Sequence, residues 1–403
     1  MRYITVRAEY QNVTSRYQDS DWLSRRLLDV IAFYYPDGVD ETHGGYVAQF
    51  DEETGEIYDT TSKHLVATAR YVVNFCLASR YDGDSYREAA EHGVQFLRDH
   101  HYDPETGGYD WLLEGTETVD RTRVCYGHAF VLLAYARAVE VGVEGAKANL
   151  DMTYDLLMDR FWEPEYNLCK SEYDGDFEAV SSYRGQNANM HTCEAMLASY
   201  EATDDHKFLD RAREIAHALT VELAADHDGR LWEHYTDEWD HDMEYNRDKP
   251  ADLFRPWGYQ PGHHVEWAKL LAVLDRYAET DWAIDRAEEL FDTAIDSGWD
   301  DENGGFYYTF GLDGEPIVDD KYGWPVAEGI GAAAALFERT GQDRYLDWYD
   351  RFWEYAQTHL TAPGGNFYTK LTRENDPYET DDGPAVEPGY HPVGACFEAL
   401  RSL

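Results

Sequence analysis

Apolar and polar positions along this chain fall into a block that recurs about every sixty residues. Each block holds a glycine–aromatic segment, a helix that opens from it, and a second helix directly after. A helical pattern over Tyr17–Phe33 comes first. Gly44-Gly45-Tyr46 and the turn at Asp51–Gly55 then lead to a helix opening at Thr61-Ser62-Lys63, with Leu65, Ala69, Val72 and Val73 at helical spacing, and to another over Ser85–His100. Gly107-Gly108-Tyr109 leads to an opening at Tyr126-Gly127-His128 and a helix over Ala146–Arg160. Asn167-Leu168-Cys169 leads to Asn187–His191 and a helix over His206–Leu223. Gly229–Trp232 leads to His263 and a helix over Trp282–Ser297. Gly304-Gly305-Phe306 leads to Trp324-Pro325 and a helix over Asp343–His359, and Gly364–Tyr368 leads to His391-Pro392 and a last helix.

Blocks of this length cannot bury their own apolar faces and must stack. The first helix lacks a partner and so does the last, so each can complete the other. The economical reading is an all-α protein: an (α/α)6 barrel of twelve helices with short β-hairpin inserts at one end, residues 1–403 forming a single domain. In such a ring one set of helices runs parallel, and their openings gather around one cavity with their positive termini facing it.

Composition narrows the class. The 43% hydrophobic and 15% aromatic content supports a packed core, yet 80 acidic residues against 34 basic ones leave a net charge of −46. The acids are spread through every segment, as on a solvated halophilic surface where salt screens self-repulsion. Only eight of the basic residues are lysine. Such a surface repels nucleic acid and anionic membranes. The five cysteines have no metal-ligand or disulfide spacing, Met1–Tyr17 has no apolar core of signal length, and no apolar run of about 18 residues occurs. These features predict a soluble cytoplasmic protein and leave open a homo-oligomer.

Tyr259–Trp267 holds the densest candidate chemistry. Pro261-Gly262 is a turn signal, so a helix is expected to open near His263, placing His263, Glu266 and Trp267 on one face. His191 lies four residues after Asn187 with Glu194 one turn on, and His391 stands between Gly389-Tyr390 and Pro392. Three histidines at helix openings suit a task that removes and returns protons near neutral pH, with Glu194 and Glu266 as orienting carboxylates. Arg70 and Arg255 are candidates for sugar hydroxyls, and Tyr126, Trp257 and Trp324 for a pyranose face. No His-Glu-x-x-His pattern, Gly-x-Gly-x-x-Gly or Walker loop is present, so neither a metal nor a nucleotide cofactor is expected.

Thr68-Ala69-Arg70, Tyr183–His191, Pro261-Gly262-His263 with Glu266-Trp267, Trp324-Pro325 with Glu328, and Tyr390-His391 follow in order along nearly the whole chain. In these motifs the chain resembles the N-acylglucosamine 2-epimerase superfamily, and within it the aldose–ketose isomerases that interconvert mannose and fructose, a branch that includes sulfoquinovose isomerase. The resemblance implies the (α/α)6 barrel and a mechanism without cofactor or metal, acting on a small monosaccharide. It implies that His391 transfers a proton between C1 and C2 through a cis-enediol, and that His263 opens the ring or serves the opposite face in an epimerase. It further implies that His191, Arg70, Tyr126, Asn187, Arg255, Glu266, Trp324 and Glu328 line the sugar pocket. Val66 departs from the tryptophan of the isomerase branch and is expected to enlarge the pocket. The expected activity is therefore mannose–fructose isomerisation, with a sugar 2-epimerase or sulfoquinovose isomerase as alternatives and a glycoside hydrolase further off.

Overall fold

The computed structural model describes residues 15–252, 254–378 and 385–403, so most of the amino-terminal stretch considered for a leader lies outside the described residues. Among the described residues are twelve α-helices: α1 (Ser20–Tyr34), α2 (Leu65–Ala78), α3 (Gly83–Phe96), α4 (Cys125–Glu140), α5 (Ala146–Leu156), α6 (Gln186–Thr203), α7 (His206–His217), α8 (Pro261–Tyr277), α9 (Ala283–Gly298), α10 (Gly323–Thr340), α11 (Asp343–Tyr355) and α12 (Tyr390–Ser402). The even-numbered helices contact one another in sequence, and α12 returns to α2 to close the ring. Each odd-numbered helix packs outside, α1 against α12 and the others against the even-numbered helix before them.

Sequence sorts the two rings. Every residue of α2 is buried, as suits a helix surrounded by neighbours. The outer α11 buries only Tyr345, Tyr349, Phe352, Trp353 and Tyr355 along one stripe. Pro261 opens α8 two residues earlier than expected, because proline needs no partner for its missing N–H at a first turn. Four outer helices end short of their expected limits, at Phe96, Leu156, His217 and Tyr355. In each the chain continues through a five-residue turn of π type, such as Leu97–His101, and then enters its hairpin.

The lead-in to each inner helix pairs with the hairpin of the next block. Residues 62–64 pair antiparallel with 112–114, 123–124 with 172–173, 184–185 with 234–235, and 321–322 with 370–371, while Tyr259 bridges Phe310. A charge clamp repeats at the same place. The residue before the N-cap is basic in four blocks: Lys63 meets Asp40, Arg123 meets Asp103 and Asp110, Arg184 meets Glu163, and Lys321 meets Asp300. Asp40, Asp103 and Asp300 each stand four residues before a Gly-Gly pair and accept amides of the turn that follows. Lys63, grouped above with the cavity residues, is thus a hairpin clamp. Its ammonium is taken by Asp40.

In three blocks the fourth residue after the N-cap ties the opening to its hairpin. His128 bonds Val124 O and accepts from Tyr109 N, and His264 bonds Gln260 O and accepts from Leu231 N. Asn189 pairs with both backbone groups of Cys169. Burial holds both histidines neutral, at about 4. They are structural.

At the far end of the ring lies an ionic network. Glu201 accepts from Arg137 at 2.8 Å, Arg401 at 2.7 Å and Tyr277 at 2.9 Å. Burial alone would raise its pKa, but the charges of Arg401 and Arg137 prevail and hold it at about 2. With the ordinary value at 4.5, this carboxylate contributes on the order of 3 kcal/mol at neutral pH. A depressed carboxyl stabilises the fold above its unfolded pKa, and that contribution is lost as pH falls through its folded one. Glu201→Gln is therefore expected to lower the denaturation midpoint at pH 7, with the gap to wild type narrowing from pH 5 to pH 3; a gap independent of pH would exclude this origin.

Candidate active site

Three tiers of side chains from the inner helices face the axis, at the second, sixth and ninth residues after each N-cap, a helical stripe one residue wide. The first tier, nearest the openings, is Val66, Tyr126, Asn187, Gly262, Trp324 and His391. The second is Arg70, Phe130, His191, Glu266, Glu328 and Ala395. The third contains Glu194, Lys269, Gly331 and Glu398. His263, third after its N-cap, enters from the side of α8. The first tier depends on one small residue. A Cβ on Gly262 would stand 2.3 Å from the Trp324 ring, so glycine there admits the indole. Trp324 then lies between His263 and His391, its ring 5.1 Å and 5.7 Å from theirs.

Each of these histidines rests its Nδ1 on a glutamate. His391 bonds Glu328 at 2.7 Å, His191 bonds Glu194 at 2.9 Å, and His263 is 2.9 Å from both oxygens of Glu233. A carboxylate on Nδ1 takes the proton of that nitrogen and presents Nε2 as the working atom. All three histidines are buried. For His191, burial drives the pKa down to about 4, only partly offset by Glu194, so its ring is neutral at pH 7.

Glu233 and Gln186 were not singled out from the sequence. Trp267 donates to Gln186 Oε1, which turns the amide so that its Nε2 donates to Glu233. Trp267 therefore does not line a face with Glu266, as the helical spacing suggested. It is wholly buried and supports Glu233 through Gln186. Glu233 carries no sequence signal of its own among so many acids; only its place after Leu231-Trp232, in the segment leading to α8, marks it.

Glu266 turns to the axis, 3.8 Å from His191. Its Oε1 accepts no hydrogen bond among the described residues. Burial and the neighbouring Glu328 charge raise its pKa well above the ordinary carboxylate value. The spacing had suggested Glu266 as a carboxylate for His263, whose Nδ1 rests on Glu233 instead. Asn187 Oδ1 is likewise buried and unpartnered among the described residues.

Arg70 donates to Glu387 Oε2 at 2.8 Å, Val386 O at 2.9 Å and the Tyr126 hydroxyl at 3.1 Å. Glu387 also stands 3.5 Å from His391 Nε2. Arg255 lies apart from the histidines, bonded to Glu172 and Tyr245 and stacked over Tyr183. Trp257 donates to Met243 O and packs on Trp232, as a core residue does. Val66 is fully buried, so the missing indole there opens no space to solvent.

Two groups among the described residues could gather around a cation: His191, Glu194 and Glu266, and Glu266, Glu328 and His391. Lys269 already supplies positive charge to both, bonded to Glu328 and 4.0 Å from Glu194. Burial works against its charge, but Glu328 and Glu194 outweigh this and keep it protonated.

A D-mannose isomerase of Marinomonas mediterranea is 40% identical over 390 residues, covering 96% of this chain and 98% of that protein. A D-mannose isomerase of Thermobifida fusca is 37% identical, covering 86% and 85%. A crystal structure of D-mannose isomerase superposes with a TM-score of 0.93 at 39% identity, over 96% of this chain and all of the other. The sequence profile of N-acylglucosamine 2-epimerase (GlcNAc 2-epimerase) matches residues 44–395, and the chain belongs to that family.

Proposed function

We propose that this enzyme is a cofactor-independent aldose–ketose isomerase that interconverts mannose and fructose on a single barrel domain. The observation that carries this reading is the set of three buried histidines, each with Nδ1 on a glutamate and Nε2 left for substrate. His263 Nε2 takes the proton of the anomeric hydroxyl and hands it to the ring oxygen as the bond from C1 to that oxygen breaks, which opens the sugar. His391 Nε2 takes the C2 proton, and the electron pair left behind forms the C1–C2 double bond of a cis-enediol. The same nitrogen, its proton exchanged with solvent, delivers a proton to C1 while the C2 hydroxyl proton passes to the oxygen on C1 and C2 becomes the carbonyl. Arg70, Tyr126, Asn187 and His191 stabilise the enediol oxygens, protonated Glu266 donates to a hydroxyl, and Trp324 packs on the sugar between the two histidines. Arg255 belongs to the rim and meets the far end of the sugar.

A neutral sugar fits best. Arg70 already carries Glu387 as its counter-charge, and Arg255 carries Glu172. This argues against sulfoquinovose and against phosphorylated aldoses. A hydrolase would need two carboxylates free to flank a scissile bond; Glu194, Glu233 and Glu328 are each bound to a histidine.

The setting follows from charge and thiols. All five cysteines are buried and unpaired, as a reducing cytoplasm permits, and a net charge of −46 suits concentrated salt. Among the described residues no helix is long and apolar enough to cross a membrane.

Proton NMR of mannose with the enzyme in D2O at molar KCl is expected to show fructose carrying deuterium at C1, with mannose 6-phosphate unchanged. Glucose deuterated at C2, with little fructose, would replace this reading by a 2-epimerase, for which His263 would serve as the second base. His391→Ala is expected to lower kcat by roughly a thousandfold with an unchanged circular dichroism spectrum; a rate near wild type would remove His391 from proton transfer. Dilution from molar KCl into salt-free buffer is expected to unfold the protein as the carboxylates repel. Full retention of structure there would overturn the halophilic reading.

A further inference from the structure

Lys269 is one of only eight lysines in the chain and the only one in the third tier of the axis. Its alkyl stem lies against Gly331, where an added Cβ would be 3.1 Å from Lys269 Cδ. Beneath it the barrel holds a cavity of about 60 Å³, bounded at the far end by Glu201, Glu398 and Arg401. The ammonium is thus set between the catalytic floor and this cavity. It bonds Glu328 Oε2, while Glu328 Oε1 is the atom that holds His391. On the other side it stands 4.0 Å from Glu194 Oε1, while Glu194 Oε2 holds His191. Tyr390, next to His391 in the chain, donates to that same Glu194 Oε1 at 2.7 Å.

We propose that Lys269 is a positioning residue that joins the Glu328–His391 and Glu194–His191 pairs into one electrostatic unit across the barrel axis. This rests on the reading that His391 moves the substrate proton. Each glutamate uses one oxygen for its histidine and turns the other towards the same ammonium. When His391 gains a proton, Glu328 is drawn to the imidazolium and its hold on Lys269 weakens. The ammonium is then free to lean towards Glu194, which balances the change at His191, beside the enediol oxygens. The cation therefore tempers how strongly either carboxylate raises the basicity of its histidine. The other charged or titratable groups facing this unit are Glu266 on the same helix, Arg70 from α2, Tyr126 from α4, and Tyr390 and Glu398 from α12. Glu387, preceding α12, completes the set, and Arg70 and Glu387 neutralise each other.

Lys269→Met keeps the stem and removes the charge. Without the cation both histidines bind protons more readily, so the acid limb of the kcat/KM profile on mannose is expected to move up by about one pH unit. The ring signals of His191, followed by NMR of histidine-labelled protein without substrate, are expected to titrate at correspondingly higher pH. Lys269→Arg, which restores the charge, should return both towards wild type. An unmoved acid limb together with an unmoved His191 titration in folded Lys269→Met would overturn the proposal, even if kcat falls, because a merely structural lysine would change rate without changing either profile. If Lys269→Met does not fold, Glu194→Gln decides: it leaves Lys269 wholly to Glu328 and should move the acid limb to lower pH, and an unmoved limb would refute the coupling. The NMR arm needs no turnover. A wild-type enzyme inactive on mannose would therefore defeat the functional reading while His191 still decides the role of Lys269.

Discussion

The site depends on the contact that closes the ring. His391 belongs to the last helix, yet its partners Glu328 and Trp324 come from α10, and Arg70 on α2 holds the Glu387 that stands beside it. The segment leading into α12 is fixed by the first helices. Arg70 donates to Val386 and Glu387, Asn74 donates to Pro388 O at 2.8 Å, and Tyr34 reaches Glu387 O. Gly389 adopts φ 73°, and an added Cβ would stand 2.6 Å from Val30. Glycine at this point permits both the left-handed turn and the close approach of α1. If α12 did not dock there, His391 would have no Trp324 beside it and Arg70 no counter-charge.

Closure also creates the electrostatic problem that the axis solves. A ring of inner helices leaves little water at its centre, so charges placed there must be matched or neutralised. The structure uses both means. Glu328, Glu194 and Glu233 are matched by imidazoles, a lysine or an amide, while burial and the Glu328 charge beside Glu266 raise its pKa and favour its neutral form. Proton-transfer chemistry fits such a place well. Each histidine has a fixed Nδ1 partner, and little solvent needs to reorganise when charge moves.

The same block serves two tasks at its two ends. At the openings, the aspartate before Gly-Gly, the basic residue before the N-cap and the fourth residue inside the helix fix hairpins to their helices. That scaffold holds positions two and six in place, and those positions differ from block to block. Histidines occur in both sets. His128 and His264 bind backbone within the scaffold, whereas His191, His263 and His391 bind glutamates.

The sixty-residue period by itself determined the paired helices, their order and the closure of α1 on α12, because apolar periodicity and Gly-Gly turns are local properties. The motifs at the openings likewise marked His191, His263, His391, Trp324 and Arg70, since the first turns of parallel helices must converge. Only tertiary structure decided which carboxylate serves which histidine. Glu233 stands just before a short strand, thirty residues before His263, and Glu328 reaches His391 from another helix. With 80 acids in the chain, no local pattern singles these out. Helical spacing placed Glu266 beside His263, but the packing of α8 between α6 and α10 turned it to the axis, 3.8 Å from His191. Lys269 reads in sequence as one polar residue in an apolar helix. Its meaning comes from two glutamates on neighbouring helices, a relation set by how the ring closes.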